Sequence, residues 1–383
     1  MEIARAGIWR SGAKDVIVMR TIKLKAQSGS CDILVGESIA NLQEYCTGNS
    51  RRNFPAVEGA KATSTPKEGK VVIITDANVR RLHGNSFPKV PVIEIGIGEG
   101  NKTLDTVQEI YGKFLEMELE KNSLVVGIGG GIVCDVAGFA AATYSRGVRC
   151  GFVPTTLIAQ SDAAIGGKNG VNLQGYKNLV GTIRQPQFVL CDFELLKTLP
   201  PRELACGFAE VIKHAAIADA ALFSYLEEHI GEALAFKRTV IEKVIHDSIL
   251  VKVAIVSADE AEKGGRMKLN FGHTVGHAVE KCLSVRHGEA VAIGMVAAAN
   301  LSCAKGMIAE KDAKRVAALL EKAGLPTALP EGKADAAVLL DAVKKDKKRQ
   351  DGKVRMSLLR GIGKAEICEV GMEELEGELN DLC

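Results

Sequence analysis

Histidine is scarce in this chain, seven in 383 residues. Three of the seven fall in residues 270–294, which read NFGHTVGHAVEKCLSVRHGEAVAIG. On a helix, His273, His277 and Glu280, spaced by four and then three residues, share one face and can address a single point. Neutral imidazole is the commonest protein ligand for a borderline metal such as zinc, and a third ring, His287, follows in RHGE. The same spacing also arises as a helix-surface pair or as core histidines bonded to carbonyls, so the pattern alone leaves both readings open. Upstream, Glu210 and Lys213 lie three apart in GFAEVIK and project together. An exposed ion pair is one reading of them. The other is burial, because the carboxylate sits among apolar residues; a buried charge needs a partner, and a metal would supply one.

A second set of residues is suited to anions. Gly127, Gly129, Gly130 and Gly131 in VVGIGGGIVCDVAG would let backbone N–H groups approach a pyrophosphate, with the following helix N-terminus adding favourable charge. The run is not a strict GxGxxG and equally describes a tight strand-to-helix turn. Asp135 is placed on the first turn of that helix, where its charge would complement the dipole. Further on, Asp162, Lys168, Asn172, Lys177, Asn178 and Arg184 are spread through segments read as loops between apolar strands. Lysines beside glycine, in GGK and GYKN, could converge with backbone on a phosphate or carboxylate. Solvated polar loops fit these segments as well.

The elements that must carry these groups follow from periodicity. KVVIITDANV is a continuous apolar run, as in a buried parallel strand, ending in polar Asp76 and Asn78. PVIEIGIGEGNKT and the helix after it, then SLVVGIGGGIVCDVAGFAAATYSRG, repeat the strand–turn–helix order, which argues for a parallel α/β sheet. TIKLKAQ and CDILVG read as strands, with a short helix in ESIANLQEY. Beyond Pro201 the apolar period becomes helical. The expected organisation is an extension over 1–20, an α/β nucleotide-binding domain over 21–200 with a loop or insertion at 47–70, and an all-α metal- and substrate-binding domain over 201–383. VRMSLL, after the lysine-rich KKDKKRQ, is strand-like.

Composition narrows the function classes. A net charge of +2, one Trp and 4% aromatic residues provide neither a basic field nor a stacking platform for nucleic acid or an anionic membrane. Small molecules are the expected partners. Ten cysteines without a CxxC pair suit free thiols in a reducing compartment. The first twenty residues are interrupted by charge, and the longest apolar run is too short and broken to span a bilayer. A soluble cytoplasmic protein is expected.

Taken together, GEGNKT, VVGIGGGIVCDVAGFAAATYSRG, VPTTLIAQSDAAIGGKNGVN, GYKNLVGTIRQP, TLPPRELACGFAEVIKH, RMKLNFGHTVGHAVE, RHGEAVAIGM and DKK resemble the 3-dehydroquinate synthases, in family order over about three quarters of the chain. The resemblance implies an N-terminal NAD-binding domain, a helical C-terminal domain and an active site between them. It makes Glu210, His273 and His287 the ligands of one zinc or cobalt ion, and His277 a catalytic neighbour. It places Asp76, Asn78, Glu99, Lys102, Gly130, Gly131, Asp135, Thr155, Thr156, Lys177 and Asn178 on NAD. Asp162, Lys168, Lys213, Lys252, Arg266, Asn270 and Lys347 fall at substrate positions, with Lys168, Lys213, Arg266 and Asn270 also counted as catalytic. Whether Lys347 or Lys348 reaches the substrate stays open. Arg146 falls at a position that reaches the substrate phosphate from the partner of a homodimer. The implied reaction takes 3-deoxy-D-arabino-heptulosonate 7-phosphate to 3-dehydroquinate and phosphate. Its steps are transient oxidation at C5 by NAD, phosphate elimination, re-reduction, ring opening and aldol closure.

Two features depart from the family pattern: the His277–His287 link lacks a Gly-Tyr-Gly type of loop, and His214 stands where an aromatic is expected. Alternatives with the same design are another sugar phosphate cyclase, an aminodehydroquinate synthase, or a metal-dependent polyol or glycerol-phosphate dehydrogenase. A catalytically silent NAD-binding or scaffold protein is a further alternative, against which the intact Glu210, His273, His277 and His287 argue.

Overall fold

The computed structural model describes residues 19–47, 69–330, 335–346 and 353–382. The 1–20 extension, the 47–70 insertion and Lys347 with its neighbour Lys348 lie wholly or almost wholly outside them. The first half is built on a seven-stranded sheet. Its strands are β1 (Arg20–Ala26), β2 (Gly29–Val35), β3 (Val71–Asp76), β4 (Val92–Ile95), β5 (Leu124–Gly129), β6 (Arg149–Pro154) and, after two strands that stand apart as β7 (Lys168–Leu173) and β8 (Tyr176–Ile183), β9 (Phe188–Cys191). The order across the sheet is β1-β2-β9-β6-β5-β3-β4. The β1–β2 hairpin is antiparallel; all other pairings in the sheet are parallel.

The apolar runs form strands because both faces of a parallel sheet are covered. One face packs on a core that includes Leu34, Ile73, Val126, Val153 and Phe188, and the other on a larger core that continues through the helical half. Around the sheet lie α1 (Leu42–Cys46), α2 (Ala77–His83), α3 (Leu104–Glu116) and α4 (Gly131–Thr143). The last is apolar on all sides and accordingly buried. From β3 the chain moves outward to β4, then returns to the other side of β3 as β5. The strand order therefore switches direction between β3 and β5, which leaves a crevice at their carboxyl ends. Asp76 and the glycine turn from β5 into α4 open onto it.

Strands give way to helices at Pro201, the first residue of α5 (Pro201–Ala218), where the missing N–H of proline costs no helix bond. Next come α6 (Ala220–Leu234), α7 (Arg238–Ala258), α8 (His273–Leu283), α9 (His287–Ala304), α10 (Glu310–Lys322), α11 (Ala336–Asp346) and α12 (Met372–Leu382). The strand-like VRMSLL is part of a hairpin, β10 (Lys353–Gly361) with β11 (Lys364–Gly371), set among these helices.

Two local readings change. The Lys- and Asn-bearing segments read as loops are the antiparallel β7–β8 hairpin, closed by Gln174 and Gly175, both at positive φ (50° and 80°). That pair is the primed turn a two-residue hairpin requires. Asp135 lies one turn deeper than expected, because α4 already begins at Gly131. The described cysteines are free thiols. Among the described residues no helix is long and apolar enough to cross a membrane.

Candidate active site

Three helices bring the metal-type ligands together. Glu210 sits mid-way along α5 and is fully buried, His273 is the first residue of α8, and His287 is the first residue of α9. The link between α8 and α9 is three residues, with Ser284 in the left-handed region at φ 53°. It is short enough to fold α9 straight back on α8 without a Gly-Tyr-Gly loop. Gly272, Gly276 and Gly294 allow the two helix backbones to touch: a Cβ on Gly294 would lie 1.9 Å from the Gly272 carbonyl oxygen. The N-termini of α5 and α9 are tied by Arg202 to Glu289 and by Arg286 Nε to Glu203 Oε1 at 2.6 Å, which fixes where α9 presents His287.

The ligand atoms of Glu210, His273 and His287 lie within 4.8 Å of one another. His273 Nε2 is 3.5 Å and His287 Nε2 is 3.3 Å from the same Glu210 Oε1. Ligands each about 2.1 Å from a tetrahedral zinc stand about 3.4 Å apart. The other ring nitrogens face acceptors, the Phe271 carbonyl at 3.2 Å for His273 Nδ1 and a Glu280 carboxylate oxygen at 3.4 Å for His287 Nδ1. Neither acceptor has a proton to give, so each Nδ1 carries one, and in the neutral rings each Nε2 turns a lone pair toward a carboxylate oxygen. Acceptors facing each other at that distance need a cation between them, a metal ion or a proton. The same carboxylates that would attract a metal draw a proton onto His287. Burial would lower the His287 ring, but Glu210 and Glu280 overcome it and push it up to about 9, whereas burial keeps His273 well below the ordinary imidazole range and hence neutral. Burial likewise opposes ionisation of Glu210, yet Lys213 above all, with the His287 hydrogen bond, holds it below the carboxylate range. These residues fit a divalent metal. His277 stands beside them, its ring 5.3 Å from that of His273 and edge-on at 82°, but outside the ligand group.

A second cluster adjoins this one. Asp162, on a single π-helical turn at Ala159–Ala163, pairs with Lys252 and with Lys213 at 3.5 Å; Lys213 also pairs with Glu210. Asp162, Glu210 and His214 also come close enough to hold a metal, but the Lys213 ammonium sits on both carboxylates and makes that redundant. His214 is fully buried, 2.8 Å from Ser248 Oγ and 3.4 Å from Asp162 Oδ1, so it braces Asp162. Burial opposes the charge of Asp162, but Lys213 and Lys252 hold its pKa well below the usual range. Arg266 is buried and donates to the carbonyls of Glu260 at 2.6 Å and Gly166 at 3.1 Å, joining the two halves of the chain. Gly166 and Gly167 have φ +108° and +71°, which delivers Lys168 at the start of β7.

Glu262, which the sequence did not single out, pairs with Lys168 and accepts from Asn270 Nδ2 at 2.8 Å. Its only sequence signal is membership of the acidic run DEAE; the φ of +57° that turns it inward is a tertiary outcome. Ser248 was equally unmarked.

The expected nucleotide residues line the crevice. Asp76 caps α2, accepting from the Val79 N–H at 3.0 Å. The exposed Asn78 follows it. Lys102 is buried and donates at 2.5 Å to both Asp135 and Asn178, and Asn172 joins Glu99 to this set at 2.8 Å. Burial raises Asp135 to about 6 in spite of Lys102. Gly130, the N-cap of α4, faces Thr156, and the Thr155 N–H bonds the Gly129 carbonyl at 2.9 Å. Lys177 instead reaches across to Glu280 on α8, Nζ to Oε1 2.8 Å. Arg146 stands exposed in a turn where Ser145, Arg146 and Gly147 all have positive φ, and it takes no part in the cluster's ion pairs.

The chain's similarity to known proteins agrees with this geometry. Residues 92–206 match the family model for the 3-dehydroquinate synthase N-terminal region, and residues 207–349 match that for the C-terminal region. The 3-dehydroquinate synthase of Symbiobacterium thermophilum is 44% identical over 299 residues, which cover 75% of this chain and 83% of that protein. Among solved structures, a 2-deoxy-scyllo-inosose synthase complexed with carbaglucose-6-phosphate, NAD+ and Co2+ superposes with a TM-score of 0.82 at 26% identity, covering 95% of this chain and all of the other. The 2-epi-5-epi-valiolone synthase of Streptomyces hygroscopicus subsp. jinggangensis, with NAD+ and Zn2+ bound, gives 0.79 at 26%, covering 98% of this chain and 99% of the other.

Proposed function

We infer the function from one premise: this chain belongs to the 3-dehydroquinate synthase family, whose members are carbocycle-forming lyases. The reaction we propose is conversion of 3-deoxy-D-arabino-heptulosonate 7-phosphate to 3-dehydroquinate and phosphate, with NAD and one zinc or cobalt ion as cofactors. The observation that carries it is the Glu210–His273–His287 group, whose Nε2 atoms face one carboxylate oxygen beside Lys213 and Lys252. Glu210, His273 and His287 would hold the metal, which when bound polarises the substrate's C5 oxygen while NAD takes up and returns the C5 hydride. Asp76, Asn78, Glu99, Lys102, Gly130, Gly131, Asp135, Thr155, Thr156, Lys177 and Asn178 would hold the dinucleotide.

The remaining groups account for charge and orientation. Lys168, Lys213 and Lys252 pair with Glu262, Glu210 and Asp162, and Arg266 faces Glu262, Asp162, Glu260 and Asp259. These cations, with a divalent ion beside them, suit a substrate with a carboxylate and a phosphate of about −1.5 to −2 charge. Arg266 and Asn270, fixed by Gly166 and Glu262, orient the ring. His277, free of the ligand group, passes the C5 hydroxyl proton, a role worth roughly 10²- to 10⁴-fold. We place the enzyme in the cytoplasm as a homodimer in which the exposed Arg146 reaches the neighbouring subunit's phosphate.

Inorganic phosphate release, followed together with nicotinamide absorbance, tests the proposal. 3-Deoxy-D-arabino-heptulosonate 7-phosphate should release phosphate with no net NADH, and sedoheptulose 7-phosphate, which lacks the carboxylate, should release none. Accumulating NADH would indicate a dehydrogenase, and a preference for sedoheptulose 7-phosphate would indicate a different cyclase.

A further inference from the structure

We propose that Glu280 is a positioning residue for the metal site and that Lys177, from the β7–β8 hairpin, holds Glu280 in place. The strand-rich half would thereby set how tightly the helical half binds its metal. The proposal rests on the reading of Glu210, His273 and His287 as ligands and concerns two residues outside that set.

The two imidazoles are held differently. His273 is 11% exposed and its Nδ1 is bonded to the backbone of Phe271, so packing and main chain both fix the ring. His287 is 34% exposed and begins a helix. Among the described residues, its hydrogen-bond partner on the Nδ1 side is Glu280 Oε2 at 3.4 Å. Without that acceptor the ring is free to turn, and the nitrogen presented toward Glu210 is no longer fixed. Partners of this kind hold both the tautomer and the angle of a ligating histidine.

Glu280 itself is 14% exposed and spends its oxygens in opposite directions. Oε2 faces His287, and Oε1 accepts from Lys177 Nζ at 2.8 Å. Lys177 is the second residue of β8, two past the tip of a hairpin whose Tyr176 and Leu179 side chains are largely exposed. A second contact joins the same two elements, the Lys281 ammonium lying 6.0 Å from the centre of the Tyr176 ring. Lys177, which the family resemblance puts at the dinucleotide, thus also touches the neighbour of a metal ligand. A half-exposed lysine pair is ordinarily weak, so its expected leverage is small beside that of Glu280.

The test is zinc affinity on the full chain, measured by competition with a chromophoric chelator at fixed pH. The visible spectrum of the cobalt-substituted protein reports ligand geometry independently of turnover. Wild type should bind one zinc per chain. Glu280→Ala should weaken binding by about 10- to 100-fold and alter the cobalt spectrum. Glu280→Gln keeps an acceptor of the same shape, so it should fold normally and lose less. Lys177→Met should weaken binding severalfold, and the Lys177→Met/Glu280→Ala double variant should be no weaker than Glu280→Ala alone. Wild-type affinity and spectrum in both Glu280 variants would overturn the positioning role. Additive losses in the double variant would overturn the part given to Lys177. Failure of wild type itself to bind zinc would instead overturn the ligand reading on which both rest.

Discussion

Gly294→Ala isolates the contact that brings the two histidine-bearing helices together. The new Cβ would lie 1.9 Å from the Gly272 carbonyl oxygen and 2.7 Å from the Gly276 nitrogen, both backbone atoms of or leading into α8. Carbon–oxygen contacts settle near 3.3 Å or beyond, so α8 and α9 must separate locally by roughly 1.4 Å. Overpacking of this kind costs about 1–3 kcal/mol, while replacing a mid-helix glycine by alanine returns about 1 kcal/mol. The fold should survive with a net loss of about 0–2 kcal/mol. The metal site should not, because His273 follows Gly272 directly, and ligand distances tolerate only about ±0.2 Å. Zinc retained per chain after dialysis against a weak chelator, phosphate release and thermal unfolding are the assays. Metal and turnover should fall at least 10-fold while the unfolding transition shifts by a few degrees. Gly231→Ala, on α6 with open space around it, serves as control and should keep both. Wild-type zinc content and rate in Gly294→Ala would refute the close-packing argument.

Other perturbations separate the remaining parts. His287→Ala should abolish bound metal while leaving NAD affinity largely intact; metal analysis beside a nicotinamide fluorescence titration checks this, and unchanged metal content removes His287 from the ligand set. Lys168→Ala frees only one side of Glu262, which Asn270 still holds. It should cost roughly 10²-fold in turnover with zinc retained, and wild-type kinetics would take Lys168 out of the site. Away from the site, burial raises Glu378 on α12 to about 7, partly offset by its bond from Asn300 at 3.0 Å. A carboxyl raised in the folded state binds its proton more tightly there than when unfolded, so stability should decline as pH rises from about 4.5 to about 7. Glu378→Gln should therefore match wild type in denaturant melts near pH 4 and exceed it by on the order of 2 kcal/mol near pH 8. Equal stability at both pH values would contradict the assigned burial.

Much of the fold was legible because its cause is local. The apolar runs ending in Asp76 and Gly129 are strands buried on both faces, and His273 and His277 share the helical face that their spacing requires. What could not be read was set by distant partners. The β7–β8 segment looked like loops because its polar Lys and Asn side chains mask the strand alternation, and only the Gln174–Gly175 pair hints at a hairpin. Glu210 joins His273 and His287 from a helix far back in the chain, a pairing that spacing could not give and that the family resemblance supplied. His214 stood out only by replacing an expected aromatic, with nothing to say that it touches Asp162, and Glu262 became visible only once its left-handed backbone turned it toward Lys168. Glu280 lay on the histidine face from the outset, yet nothing in the sequence tells a ligand from the group that holds one.

The central claim is that one cation sits between Glu210, His273 and His287 and beside a nicotinamide ring. A crystal structure of the full chain loaded with zinc and NAD measures this directly. It should show a single ion bonded to a Glu210 carboxylate oxygen and to Nε2 of both histidines at about 2.0–2.2 Å, with the nicotinamide in the crevice facing it. Zinc bound through other side chains, or a nicotinamide lodged away from the ion, would contradict the account.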